Sequence, residues 1–564
     1  MNGCSYVVSK IANVDYPDHW PNLLPSLLHL IPNSNDAQSH GALKVLSDLV
    51  EDALSEDQFF SVAREIINVV HSVAVNESRR PLLRALAVTI FKSTFEIMDM
   101  VKEEHGAEVK GFADEVLAAW SPFFMDTLKK DLPPRPSGHG DGEAEDLWRG
   151  VIALKLQVVK TLMKIRAVFP ALLLPQSPAL FSATWEQLNL LQATYKDMYV
   201  DNDEQGRLED ADGLQISLDF LVLEELDFLQ SCFRAPPVQK ELEAQIQSNG
   251  GVTSTPWVLD VMKLAVEYAQ ISNEEEDLWD IDVSLFLAEE TSVTANYTAR
   301  TACGDLVIKL GEWLHAGALE GLLKYTQLLY STEVAPWRTK EASLYLVTQL
   351  LNDFVDVDKQ IPPETASAYV GLIEYAISQA NEPLLRARGY LVAGVLVQIL
   401  PDLATNLLDL TIRAVNADEA EVVKVSCIKA IQGFIKARTI PAGHQLHIVN
   451  AISEYLYSKD LTEIEDSDDL LVTLVESLRA AISLDCRVVI SGESGPLDLL
   501  FSLAKHGASN FQLTMLVTET FEDIVSVLAD TESYAALCAK VLPSLTGAFD
   551  VGKVTGDDPL VEVC

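Results

Sequence analysis

Apolar residues recur at i, i+3, i+4 and i+7 along nearly the whole chain, in stretches of about 12 to 18 positions, and sustained strict alternation of the strand type is hard to find. The pattern predicts an all-α fold. In Val423–Ile435, for example, Val423, Cys427, Ile428, Ile431, Phe434 and Ile435 fall on one face, and Lys424, Lys429, Gln432 and Lys436 fall elsewhere. That is one amphipathic helix with a wide buried stripe.

The helices read as pairs. Leu403–Ala414 is followed by the turn residues Asn416, Ala417 and Asp418 and then by Glu421–Lys436, which predicts two helices joined as a hairpin. The second helix of each pair opens on a recurring phrase, an apolar or small residue followed by a basic one, with a small residue three further on. It occurs as Leu83-Arg84 with Ala87, Ala299-Arg300 with Cys303, Leu385-Arg386 with Gly389, and Val423-Lys424 with Cys427. Trp337-Arg338 is a looser copy, because Glu341 stands where the small residue belongs. From Arg300 the basic positions recur at Arg338, Arg386 and Lys424, at intervals of 38, 48 and 38 residues. HEAT and armadillo helix pairs run about 40 to 47 residues. One pair cannot bury its apolar face alone, so stacking predicts a HEAT-repeat solenoid, a right-handed superhelix of antiparallel helix pairs. The small residue is expected to allow close approach of neighbouring pairs, and the basic residue to reach acids on the next repeat.

The repeats divide the chain into amino-terminal repeats over 1–130, a Pro- and Gly-rich linker or inter-helix loop over 131–146, central repeats over 147–271, an acidic insertion over 272–290 and further repeats over 291–564.

Composition narrows the function. Of 564 residues, 48% are hydrophobic and 22% charged, which is globular composition; 41 Lys and Arg stand against 83 Asp and Glu, for a net charge of −42. Such a field repels phosphate backbones and anionic headgroups, so direct nucleic-acid and membrane binding are disfavoured and a basic partner is favoured. The seven cysteines form no CxxC pair, which reads as reduced thiols of the cytosol or nucleus. No apolar run reaches the roughly 18 residues of a membrane span, and residues 1–10 have no signal-peptide pattern.

Catalytic and metal chemistry find little support. His444 and His447 stand at i, i+3 without an acid or thiol to complete a metal site, and Gly492–Pro496 lacks the second glycine of a nucleophile elbow. No phosphate-binding loop, dinucleotide fingerprint or zinc-protease motif occurs. The expectation is a binding protein without catalytic residue, cofactor or metal.

Acidic runs are the chemistry that remains. Asp201–Gly213 carries Asp201, Asp203, Glu204, Glu209, Asp210 and Asp212. Ser272–Glu290 carries Glu274, Glu275, Glu276, Asp277, Asp280, Asp282, Glu289 and Glu290, with Trp279 and Phe286 interleaved, and the third run carries Glu463, Glu465, Asp466, Asp468 and Asp469. They are expected as loops or short helices projecting from the solenoid. Carboxylates so placed steer a basic cargo toward the surface, and Trp279 then anchors it. The alternative is a solvated face that keeps the solenoid soluble, with Trp279 packed back on its own repeat.

Several motifs resemble the importin-β (karyopherin) family. Asp15-Tyr16-Pro17-Asp18-His19-Trp20-Pro21-Asn22-Leu23-Leu24-Pro25 with His40-Gly41-Ala42-Leu43 is similar to the family's third-repeat signature. Asp277-Leu278-Trp279, Phe286, Glu289-Glu290 and Tyr297–Leu306 resemble the acidic segment and following repeat of the larger importins. Trp337–Ala342 and the stretch from Arg386-Ala387-Arg388-Gly389 to Ile431-Gln432-Gly433-Phe434 resemble the importin-nine branch. The resemblance implies a monomeric nuclear import receptor shuttling between cytoplasm and nucleus, with core histones as leading cargo, release controlled by the small GTPase Ran in its GTP form, and outer-helix grooves for Phe-Gly nucleoporins. The family carries about 20 repeats and this chain about a dozen. What resembles the Ran-holding amino-terminal repeats is largely missing, as is the carboxy-terminal third. A HEAT-repeat scaffold subunit of a cytosolic complex is the alternative reading.

Overall fold

The computed structural model describes residues 2–548 except 137–141, 292–296, 333, 418–419, 438–439, 441–442, 460–467, 492–494 and 507–509. Contacts divide the chain into two units, Met1–Thr255 and Pro256–Cys564. The first unit runs α1 (Asn2–Asp15), α2 (Leu23–Asn33), α3 (Asp36–Asp48), α4 (Glu56–Ala74), α5 (Pro81–Lys129), α6 (Gly142–Val168), α7 (Ser177–Tyr195), α8 (Leu218–Phe233) and α9 (Pro236–Ser248). The second runs α10 (Pro256–Tyr268), α11 (Asn273–Ile281), α12 (Val283–Thr291), α13 (Ala299–Leu314), α14 (Ala316–Ser331), α15 (Trp337–Asp356), α16 (Pro363–Ala368), α17 (Val370–Ser378) and α18 (Pro383–Ile399). It continues through α19 (Ala404–Asn416), α20 (Glu421–Lys436), α21 (His444–Tyr457), α22 (Asp468–Leu484), α23 (Cys486–Ser491), α24 (Pro496–His506), α25 (Phe511–Val527) and α26 (Thr531–Ala548). Among the described residues there is no strand, only one isolated bridge between Glu209 and Gln215.

The helices pack as expected of HEAT pairs. In the second unit α14 precedes α15, α17 precedes α18, α19 precedes α20 and α21 precedes α22, and the second members α13, α15, α18, α20 and α22 stack in series. Val423, Cys427, Ile428 and Ile431 are all fully buried, as their spacing predicts. In the first unit α5 is two helices in series, because the backbone at His105 leaves helical values (φ −123°, ψ 29°). Phe91 and Trp120 lie on either side of that break with their rings stacked 3.9 Å apart. A straight helix would hold them about 43 Å apart at 1.5 Å per residue, so the chain folds back at His105. The Pro- and Gly-rich stretch joins α5 to α6, which pack on one another inside the first unit.

The basic residues of the recurring phrase do more than the expected bridge to an acid on the next repeat, which Arg300 makes to Glu341 on α15 (2.8 Å). Arg84 donates to the carbonyl of Ala74 at the end of α4 (2.6 Å), and Arg386 to that of Ile377 at the end of α17 (3.0 Å). Arg300 and Arg338 donate to Ala269 and Ile271, just past α10, at 2.6 and 2.9 Å. Lys155, outside the phrase, does the same for Thr127 and Leu128 at the end of α5, at 2.8 and 3.0 Å. The last carbonyls of a helix lack intrahelical donors and carry the negative end of its dipole, so a cation on the second helix satisfies the first. Close approach occurs at Gly389 of the phrase, where a Cβ would lie 3.0 Å from the Ile377 side chain on α17, and at glycines outside it. A Cβ on Gly433 would lie 1.9 Å from the carbonyl oxygen of Gly394, so α18 and α20 meet backbone to backbone there.

Candidate functional site

The 272–290 run is two short helices, α11 and α12, laid against the rest of its unit. A capping box starts α11. Glu275 N donates to Ser272 Oγ (3.1 Å) while Ser272 N donates to the Glu275 carboxylate (2.8 Å). Asp282 separates the helices and accepts from Ser284 N at 2.9 Å. Trp279 is 7% exposed and meets Phe286 edge to face, 5.2 Å between ring centroids. The expectation of Trp279 as an exposed anchor is therefore corrected: the indole has apolar surface to bury, and Phe286, one short helix later, supplies the partner. The segment does not project. α12 packs against α20 and α22, more than a hundred residues later in the chain, so α11 and α12 form a strap over the stacked second helices.

A buried charge network fastens the strap. Glu341 on α15 receives Arg300 through both terminal nitrogens (2.9 and 2.8 Å) and Arg388 Nε at 2.9 Å. Arg300 Nε donates to Glu289 at 2.6 Å, and Arg388 donates to both oxygens of Glu290, one of them at 2.9 Å. The guanidinium of Arg300 lies 3.8 Å from the centroid of the Tyr345 ring, and Arg388 lies 5.1 Å from it. Arg300, Arg388 and Glu341 have side chains at most 1% exposed. Burial pushes Glu341 up, but Arg300 and Arg388 outweigh it and hold the carboxyl below its usual range. Glu289 goes the other way. Burial lifts it to about 7, opposed by Arg300 and helped by the charges of Glu275 and Glu290. Three carboxylates face two guanidiniums, so one acid is the natural place for a proton.

The other acids divide into engaged and open. Glu276 pairs with Arg338, whereas Glu274, Asp277 and Asp280 are exposed. In the first unit, the 201–213 run is a loop folded back on the helices. Asp201 pairs with Lys196 (2.5 Å) and Glu204 with Arg135; Asp210 accepts from Asp212 N and Leu214 N (2.8 and 2.9 Å), and Asp212 meets His40 Nε2 at 2.9 Å and Lys44 Nζ through its carbonyl at 3.2 Å. Asp203 and Glu209 are exposed. Glu463, Glu465 and Asp466 lie outside the described residues. Asp468 opens α22 and Asp469 is half-buried beside it, and α12 packs on α22.

Arg388 and Glu341 are the members of this network that the acidic runs do not reveal. Glu341 left a trace as the one residue that breaks the repeated phrase; an acid at a position of small residues marks a buried partner for cations. His444 pairs with Asp409 at 2.9 Å, and among the described residues no group of His, Cys, Asp and Glu can hold a metal ion. No described helix is long and apolar enough to cross a membrane.

Residues 252–508, nearly all of them in the unit that carries the strap, match the family described as importin-9 central HEAT repeats. Importin subunit beta-5 of Schizosaccharomyces pombe is 26% identical over 97% of this chain and 53% of its own length, so the chain spans about half the length of that relative. A solved structure of Lph2, a bidirectional nuclear transport receptor of S. cerevisiae, superposes with a TM-score of 0.60 at 13% identity, over 99% of this chain and 59% of that one. A structure of Kap95p, reported to switch the loops of RanGDP to the GTP-bound conformation, gives 0.56 at 11% identity, over 99% and 58%. The helix pairs, the repeat period and the matched repeats agree: the chain has a HEAT-repeat fold, and residues 252–508 are similar to the central repeats of importin-9.

Proposed function

We propose that the chain is part of a nuclear import receptor that shuttles between cytoplasm and nucleus and carries a basic cargo, core histones foremost. The carrying observation is that the unit matching importin-9 repeats bears an acidic strap with Glu274, Asp277 and Asp280 open to solvent, in a chain of net charge −42. Carboxylates in that position attract a Lys- and Arg-rich surface from a distance and shield it from nonspecific anions. The function is binding, not catalysis.

Release by Ran in its GTP form is part of the same proposal, supported by what is reported of Kap95p. Linkage then requires that cargo and Ran weaken each other by the same factor. Leu328 on α14, Tyr375 on α17, Leu410 on α19 and Leu446 on α21 are exposed apolar residues on the first helices of successive pairs, and they support a Phe-Gly nucleoporin surface there. The test is a competition. Core histones immobilised at physiological salt should retain the chain, and Ran locked with a nonhydrolysable GTP analogue should elute it. Retention that Ran leaves untouched removes the release step, and no retention removes the cargo.

A further inference from the structure

Beside the strap lies a groove of about 640 Å³, within the range of about 300–1,000 Å³ typical of ligand sites. One wall is the joint between α11 and α12, from Glu276 to Val283; the other is made by the first residues of α15, α18 and α20. Its surface is mixed. Ile281 at the joint is 84% exposed, Trp337 is half-buried under the Arg338 guanidinium, and the buried Leu384 also lines the groove.

Charge in the groove is unbalanced. Glu421 is taken by Lys459 (2.6 Å) and by the Tyr455 hydroxyl, and Glu276 by Arg338. Asp280, Asp282 and Glu382 line the same groove, and none has an ion pair with a described residue. Burial and the Glu276 charge raise Glu382, with Arg338 opposing, as expected where acids crowd without enough cations.

We propose that this groove seats an extended protein segment in which Lys or Arg residues flank one bulky apolar residue. The cations meet Asp280, Asp282 and Glu382, and the apolar side chain rests on Ile281 and Trp337. A folded basic surface does not enter a groove of this volume, whereas a basic tail does. This rests on the basic-cargo reading and narrows it to one site. It also makes the strap a wall of the binding site as well as a cover for the helices.

The probe is the labelled peptide GKKGLGKKG, read by fluorescence anisotropy at low salt with GKKGSGKKG as control. The variants are Asp280→Asn with Asp282→Asn and Glu382→Gln, which keeps an N-cap at 282; Trp337→Ala; and, away from the groove, Asp203→Asn with Glu209→Gln. The groove variants should each weaken the peptide about tenfold, and the Leu-to-Ser control should bind as weakly as the Trp337 variant does. The Asp203 and Glu209 variant should bind like wild type. Equal binding by wild type and the carboxamide variant overturns the groove, as does equal loss in the Asp203 and Glu209 variant. Core histones bound without any affinity for the peptide also overturn the groove and leave the cargo reading standing; absence of both overturns both. Circular dichroism identifies a variant that fails to fold, and the second groove variant then decides.

Discussion

Arg388 on α18 donates to both carboxylate oxygens of Glu290 on α12, a residue 98 positions earlier in the chain. That pair closes the strap over the repeats between them, and both side chains are nearly inaccessible, 0% and 6% exposed. In such a place ions are retained for specificity more than for net stability, because removing two charges from water offsets most of their attraction.

Breaking the pair should therefore be worse than replacing it. Arg388→Met leaves Glu290 and Glu341 facing each other without that cation and should destabilise the unit by about 3–5 kcal/mol in urea unfolding. Adding Glu290→Met should recover part of the loss. In hydrogen exchange the single variant should lose protection over 283–291 before 23–33, since damage in stacked repeats begins with neighbours. Uniform loss across both segments would show that the strap is not a separate layer.

The network also sets a pH dependence. Glu289 is lifted from 4.5 to about 7 in the fold, so between those values the folded chain binds more protons than the unfolded one and stability falls as pH rises. Its neighbours are Glu275 on α11, Glu290 on α12, Arg300 on α13, Glu341 and Tyr345 on α15 and Arg388 on α18. Glu341, held low, has the opposite sign and loses its contribution only as pH falls through its depressed value. Comparing melting temperatures of wild type and Glu289→Gln from pH 4.5 to 7 isolates the first effect: the variant should gain on wild type steadily across that window. A constant difference would mean that Glu289 does not titrate there.

The approach of α18 to α20 is sharply position-dependent. Gly433→Ala drives a methyl into the Gly394 carbonyl and should cost about 3 kcal/mol, whereas Gly371→Ala on α17, with nothing within 4 Å, should be neutral or stabilising by up to about 1 kcal/mol. Equilibrium urea unfolding of the two variants checks both.

Periodicity made the helix pairs legible, down to Glu421–Lys436 and the burial of Val423, Cys427 and Ile428. The charges were harder to read. Glu274 and Glu289 look alike in an acidic run, yet one is exposed and the other meets Arg300, because local composition does not say which side of a short helix will meet a residue far along the chain. Trp279 shows the same limit: its partner Phe286 stood seven places on, but only the turn at Asp282 brings the rings together. The basic residues of the repeated phrase were visible, and their partners were not, since a backbone carbonyl leaves no mark in sequence.

The affinity of the chain for core histones over a salt series decides whether the open carboxylates serve a basic partner. With Glu274, Asp277 and Asp280 changed to Ser, association should slow at low salt, dissociation should change little, and the difference from wild type should shrink as the Debye length falls from about 10 Å at 0.1 M toward about 3 Å at 1 M. Helical content should not move, because those three side chains are exposed. Histone affinity equal in wild type and variant at the lowest salt would contradict it.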